Sequence, residues 1–386
     1  MTSKKLRIAL VTNNYTPYSG GVVSSINAFA DQLMVLGHEV RIVTLDFLGD
    51  KHNDPPHVIR IPSLFRFRWG KIYGTVPWRM EKNVFHVLQD FKPDVVHTQH
   101  PFLIGWSALR AARKLSVSVV FTYHTMYERY AHYVPFYQPF VRSMTTKIVL
   151  RFCESVDFII APSNAIRLYL REKKIETPLT IIPSPLLSVF FGTPVAEKKN
   201  EKGERFNLLL VSRFVKEKDI PFVLDVVSKL DQQKFQLTLV GYGQEEESLR
   251  AYAYQTLGFT KDQVKFLIQP PKQKLAQLYQ ESDLFLFSST SDTQGLVLAE
   301  AMAGGTPVVA VDGPGQQDII KNGKNGFIVF SQDQMVEKIR QISGNAQLYK
   351  KLQHGAYTTA QFYSAQTLAN WLVQVYRCAP GFSKSV

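Results

Sequence analysis

Apolar and polar positions along the chain alternate in blocks that predict a repeated strand–helix order. Leu6–Thr12 (LRIALVT) is a short apolar run rich in β-branched residues, which predicts a buried strand. Asn13–Gly21 (NNYTPYSGG) follows as a loop of Asn, Pro and Gly. Over Val22–Leu36 the apolar positions Val22, Ile26, Phe29, Ala30 and Leu33 recur at helical spacing. Val40–Thr44 predicts the next strand, completing a βαβ unit and implying a parallel sheet. Asp94–His97, Val117–Tyr123 and Phe158–Pro162 predict further buried strands, with helices such as Leu103–Lys114 between them.

A second series begins later. Ser188–Phe206, with Gly192, Pro194 and the charged run Glu197–Arg205, is weakly patterned and predicts a linker and loop. Asn207–Ser212, Gln236–Val240, Val264–Leu267, Leu284–Ser288 and Pro307–Ala310 predict strands, and Pro221–Leu230 a helix. The expected class is α/β, with two Rossmann-like doubly wound domains over residues 1–188 and 189–363. A last helix in 364–386 is free to pack on either domain. No short repeat or low-complexity tract is present.

A chain of 386 residues is ample for two cores. Its two cysteines, Cys153 and Cys378, form neither a disulfide framework nor a zinc spacing, so a reducing, cytoplasmic compartment is expected. The start of the chain lacks the long apolar region of a signal peptide, and no apolar stretch is long enough to span a bilayer. The net charge of +13 is unevenly placed. Residues 1–188 hold 23 Lys/Arg against 13 Asp/Glu, and the remainder 22 against 19. A basic first half suits an anionic partner; the alternative is that the charge serves solubility alone.

Three segments carry candidate chemistry. Gly20 and Gly21 lie between the first strand and its helix, where bare backbone and free N–H groups suit an anion. They fall short of G-x-G-x-x-G, so a nicotinamide cofactor is not favoured, and a turn needing positive φ is the structural alternative. In VSRFVKEKDI (211–220), Arg213 leaves a strand end and Lys218 sits near the next helix. Two such cations suit a diphosphate leaving group, against the alternative of a solvated surface run. In STSDTQGLVLAEAMAGGTPVVA (289–310) a polar turn opens a helix. Its amides suit phosphate oxygens, and Glu300 could accept from two sugar hydroxyls. The alternative makes Asp292 an N-terminal cap and Glu300 a satisfied helix residue.

Segments 211–220 and 289–310 resemble the large retaining glycosyltransferase family four, which has the GT-B fold of two domains facing a central cleft. The family pattern of an acidic residue, seven residues and a Glu reads here as D-TQGLVLA-E. TQGLV and FTYHTMYERYAHYVP (121–135) look most like the bacterial members that glucosylate diacylglycerol. The resemblance covers nearly the whole chain and is most specific at 289–310. It implies that Glu300 holds the ribose, that Arg213 and Lys218 neutralise the diphosphate, and that Gly21 contacts it from the first domain. It also implies that Asp292, with the amides of Gln294, Gly295, Leu296 and Val297, faces donor sugar and phosphates. His124 would lie near the transferred sugar; read alone, it is a core histidine at a strand end. Asp292 stands where the family usually has Glu, and residues 182–186 read IPSPL where relatives have an Asn-Gly or similar turn.

No D-x-D pair occurs, so no metal cofactor is expected, and the leaving UDP would be stabilised by Arg213, Lys218 and helix amides. Residues 63–82, read as a loop, interleave Phe65, Phe67, Trp69, Tyr73 and Trp78 with Arg66, Arg68, Lys71, Arg79 and Lys82. Aromatics suit the bilayer interface, and each basic group adds roughly 1 kcal/mol near an anionic surface. Tyr127 extends the aromatic supply. The alternative is a core loop with snorkelling stems. The expected function is transfer of glucose from UDP-glucose to 1,2-diacylglycerol by a peripheral enzyme on the inner membrane face. No nucleic-acid partner is expected. The alternatives keep the donor and change the acceptor to a sugar, phosphoinositide or protein, or make the chain a non-enzymatic binder.

Overall fold

Arg7–Thr12 (β1) is buried on both faces, and its side chains alternate between two cores. Ile8 and Leu10 pack on one side of the sheet and Ala9 and Val11 on the other. A strand so enclosed cannot leave backbone groups unpaired, and β1 is bonded in parallel to a neighbour on each edge. In the computed structural model the structure describes residues 4–18, 20–48, 53–69, 72–124, 138–192, 205–292 and 294–379. The chain divides into two units, residues 1–185 with 365–386 and residues 186–364.

In the first unit β1 is followed by Gly21–Val35 (α1), Glu39–Leu45 (β2) and Val58–Ile61 (β3). Ser63–Trp69 (β4) and Ile72–Pro77 (β5) come next, then Met80–Phe91 (α2), Val95–Thr98 (β6) and Ile104–Lys114 (α3). The series ends with Ser118–Thr122 (β7), Gln138–Ser155 (α4), Phe158–Ala161 (β8), Asn164–Glu172 (α5) and Leu179–Ile181 (β9). The main sheet is parallel, in the order β3-β2-β1-β6-β7-β8-β9. Winding reverses at β1, so the loops after β1 and β6 diverge and open a crevice at the carboxyl ends of those strands.

The stretch 63–82, expected as a loop, contains the antiparallel hairpin β4–β5. Its residues alternate at period two, with Phe65 and Phe67 at one set of positions and Arg66 and Arg68 at the other. The Phe65 and Phe67 rings stack at 6.2 Å. Phe67 lies across from Gly74, where any Cβ would run into its ring. Phe65 is 60% exposed, and Leu64, Phe67, Val76 and Trp78 are exposed too. The opposite positions hold the hairpin to its unit. Arg66 pairs with the Asp46 carboxylate, Ser63 Oγ donates to Asp46 O at 2.7 Å, and Tyr73 N donates to the Tyr18 hydroxyl at 2.9 Å.

The second unit runs through Phe206–Arg213 (β10), Ile220–Ser228 (α6), Phe235–Tyr242 (β11), Glu246–Ala251 (α7) and Val264–Ile268 (β12). Lys272–Glu281 (α8), Leu284–Phe287 (β13), Leu296–Ala303 (α9), Val308–Val311 (β14) and Pro314–Ile319 (α10) follow. Gly326–Val329 (β15), Gln332–Ser343 (α11) and Ala346–Gln361 (α12) complete it. Its sheet is parallel, in the order β12-β11-β10-β13-β14-β15, and reverses at β10. Leu186 and Phe190 belong to this unit's core, and Leu186 N donates to Tyr363 O at 2.9 Å. The boundary therefore falls before Leu186 rather than after Ser188.

Ala365–Cys378 (α13) packs in the first unit. Leu368, Ala369, Leu372, Val373 and Tyr376 bury themselves with α1 and the sheet. The Tyr376 hydroxyl lies 2.7 Å from His97 Nδ1 on β6. Leu372→Ala is expected to cost about 2–5 kcal/mol of stability in urea denaturation. Gln374→Ala, on the exposed face, should stay within about 0.5 kcal/mol.

Candidate active site

The loops after β10 and β13 meet at the reversal point of the second sheet. A 3-10 turn, Lys216–Lys218, follows β10 and carries Lys218 inward. Lys218 is 9% exposed, and a buried ammonium requires a counter-charge. Asp292 supplies it: Lys218 Nζ donates to both carboxylate oxygens, at 2.8 and 2.6 Å. Ser289 Oγ lies 3.5 Å from the same nitrogen. The backbones are tied as well, with Ser288 Oγ donating to Lys218 O at 2.7 Å and Ser289 Oγ to Glu217 O at 3.3 Å. Gly315 N donates to Asp292 O at 2.9 Å, and a Cβ on Gly315 would lie 2.7 Å from Gly295 N. Only a glycine lets α10 approach the turn this closely.

Asp292 is thus not a helix cap. The N-cap of α9 is Gly295, at φ 62 with no side-chain cap, so the first amides of α9 are left for other acceptors. Gln294 Nε2 and Gln316 Oε1 are buried without a hydrogen-bond partner among the described residues. Arg213 lies apart from the buried pair, half exposed, and meets Glu217 at 3.4 Å, a contact that solvent screens. Sequence reading expected Arg213 and Lys218 as two cations open to a ligand. In the ligand-free chain Lys218 is already neutralised by Asp292.

Glu300, on α9, accepts from the Tyr279 hydroxyl at 2.9 Å. Burial pushes the Glu300 carboxyl up to about 7; the Tyr279 bond and the Lys272 charge oppose this without cancelling it. Burial, and then the Glu300 charge, hold the Tyr279 phenol well above its ordinary value. Sequence reading missed Tyr279. Its only mark is an aromatic residue in the polar helix α8, 21 positions from Glu300.

In the first unit, Gly20 has φ 165, so no left-handed turn explains it, and α1 starts at Gly21. Among the described residues, a Cβ on either glycine would meet nothing within 4 Å. His124 follows β7, and its Nε2 donates to Gln99 Oε1 at 2.6 Å. Burial, and then His100 and His97, push the His124 imidazole down to about 3. Burial alone pushes His100 down to about 4 and His97 to about 3. All three rings are neutral near pH 7. Arg66 is paired with Asp46, and Arg68 stacks over Tyr73 at 5.2 Å. Arg66 therefore anchors the hairpin instead of standing free toward a surface. Lys71 and Tyr127 lie outside the described residues, as does the side chain of Trp69.

Two doubly wound units, one with a buried cation and helix amides at its reversal point, describe a GT-B hexosyltransferase. A Glycosyltransferase Family 4 model matches residues 19–186, and a Glycosyl transferases group 1 model matches residues 194–359. The chain is 30% identical to alpha-monoglucosyldiacylglycerol synthase of Streptococcus pneumoniae, covering 86% of this chain and 77% of that protein. It is 27% identical to the synthase of that name from Acholeplasma laidlawii, covering 96% of each. In fold it is similar to sucrose-phosphate synthase of Thermosynechococcus elongatus, at a TM-score of 0.74, 20% identity and coverage of 98% and 99%. Anabaena HepE in complex with UDP aligns at 0.73 and 18% identity, over 97% and 100% of the chains. The chain belongs to glycosyltransferase family 4. Among the described residues, no helix is long and apolar enough to cross a membrane.

Glu300 binds its proton more tightly when folded than at its ordinary value of 4.5, so folding is favoured at low pH. Its contribution is full below about 4.5 and is lost as pH rises through about 7. Glu300→Gln is expected to flatten the fall in stability of the ligand-free protein across that window, read by thermal melts at several pH values. An unchanged slope would remove the buried carboxylate as its source.

Proposed function

We propose that this enzyme moves glucose from UDP-glucose to 1,2-diacylglycerol with retention at the anomeric carbon and without a catalytic metal. The observation that carries this reading is the Lys218–Asp292 pair at the reversal point of the second sheet. A dianionic diphosphate displaces the Asp292 carboxylate from Lys218, and the ammonium then stays neutralised in the filled site. Arg213 adds a second positive charge. The amides of Gln294, Gly295, Leu296 and Val297 donate to phosphate oxygens. Glu300, ionised and steadied by Tyr279, accepts from the two ribose hydroxyls.

In the transfer step the acceptor oxygen bonds to the anomeric carbon on the face from which the diphosphate leaves. The bond from the anomeric carbon to the phosphate oxygen breaks, and the hydroxyl proton passes to that departing oxygen. Lys218 and Arg213 stabilise the charge that grows on UDP. His124, neutral, accepts from a sugar hydroxyl. Freed from Lys218, Asp292 turns to the donor sugar.

Support for a lipid acceptor comes from the two synthases named above and from the exposed apolar face of β4–β5. Phe65 and Phe67 enter the bilayer interface, while basic residues of the first unit meet anionic headgroups. In this reading the enzyme sits peripherally on the inner face of the cell membrane. UDP release from UDP-glucose is expected to require diacylglycerol in the vesicles; release that ignores the lipid would reject this acceptor. Glu300→Ala should raise the donor KM by roughly tenfold or more, the loss of about 1.4 kcal/mol. Phe65→Ser with Phe67→Ser should weaken vesicle binding by roughly tenfold or more in sedimentation, since a buried Phe contributes about 1.5–3 kcal/mol. Unchanged binding would move the membrane contact elsewhere.

A further inference from the structure

Gln99 stands directly after β6, 4% exposed, and its backbone N–H donates to Val11 O at 2.8 Å. His124 stands two residues after β7, the strand paired with β6 in parallel through Thr98 and Phe121. The two side chains therefore leave adjacent strand ends on the edge where the first sheet reverses. Gln99 Oε1 has lone pairs and no proton, so the 2.6 Å contact requires the proton on His124 Nε2. A neutral imidazole with its proton on Nε2 presents only a lone pair at Nδ1.

We infer that Gln99 is a positioning residue that locks His124 in the Nε2–H form, so that Nδ1 serves as a fixed acceptor for a substrate hydroxyl. This rests on the reading that His124 touches substrate. It assigns the histidine a task distinct from general-base catalysis: it recognises a hydroxyl and takes up no further proton. The neighbours oppose the imidazolium form. His100 on the β6 side and His97 on β6 face His124 with neutral rings, and His97 is itself engaged at both nitrogens, by Tyr376 and Thr122, each at 2.7 Å. A protonated His124 would present a donor at Nδ1 and turn a hydroxyl's proton away.

Two variants of the full-length enzyme and one spectroscopic readout test this. Gln99→Leu removes the acceptor; kcat should fall roughly ten- to hundredfold, while the affinity for UDP alone stays unchanged. In nitrogen-15 spectra near neutral pH the wild-type His124 ring should report a single Nε2–H tautomer, and Gln99→Leu a mixture. Gln99→Glu keeps an acceptor but adds a charge that favours imidazolium. It should move the acid limb of the kcat profile up the pH axis by about 1–3 pH units. A residue that merely packs would change melting temperature and leave that limb in place. An unaltered tautomer in Gln99→Leu, or an unaltered acid limb in folded Gln99→Glu, overturns the assignment. A wild type that ignores diacylglycerol, yet turns over UDP-glucose in a Gln99-dependent way with the expected tautomer, refutes the acceptor alone and supports Gln99.

Discussion

A buried ammonium must be answered by a negative charge, and in this protein that requirement organises the second unit. Lys218 reaches inward from the turn after β10, and Asp292 meets it from the turn after β13. Removing either partner would leave the other as an uncompensated charge in a poorly hydrated place. The serines beside them convert this attraction into a fixed distance between two loops, because Ser288 and Ser289 donate to the backbone of the lysine turn. Gly315 then lets α10 close on the same turn. The arrangement keeps a buried cation neutralised at the carboxyl ends of β10 and β13.

The strands were legible because both sheets are parallel and covered on both faces. Their sequences are continuous apolar runs, and Leu284–Phe287 or Val95–Thr98 can be little else. The hairpin was legible in principle. Phe-Arg-Phe-Arg alternates at the period of a strand, yet the stretch reads as a loop when only its interleaved aromatic and basic content is weighed. The Lys218–Asp292 pairing was not legible, since 74 positions separate the partners and each looked like an independent ligand to the donor. Tyr279 was hidden for the same reason. The boundary before Leu186 depends on a backbone bond to Tyr363, which leaves no trace in composition.

Both units solve one problem in the same way. On the carboxyl edge of each sheet, a side chain that follows one strand is restrained by a residue that follows the neighbouring strand. Lys218 is restrained by Asp292, and His124 by Gln99. The difference lies in charge. The lysine's charge is balanced by a carboxylate. The histidine gives its charge up because burial, with no carboxylate among the causes acting on it, makes an imidazolium costly. Glu300 sits between these extremes, near 7, since one phenolic hydrogen bond offsets only part of its burial.

The hairpin changes what the net charge of +13 means. A surface reading would count each arginine of β4 as attraction to anionic headgroups. Arg66 spends its charge on Asp46, and Arg68 spreads over the Tyr73 ring, so these residues first fix the orientation of the hairpin. That orientation turns Phe65 and Phe67 outward. In the proposed membrane contact, long-range attraction would fall to the basic residues spread over the rest of the first unit, and short-range holding to aromatic rings. The two forces differ in their response to salt: screening weakens the first within about 10 Å at 0.1 M ionic strength, and leaves the burial of aromatic surface nearly untouched.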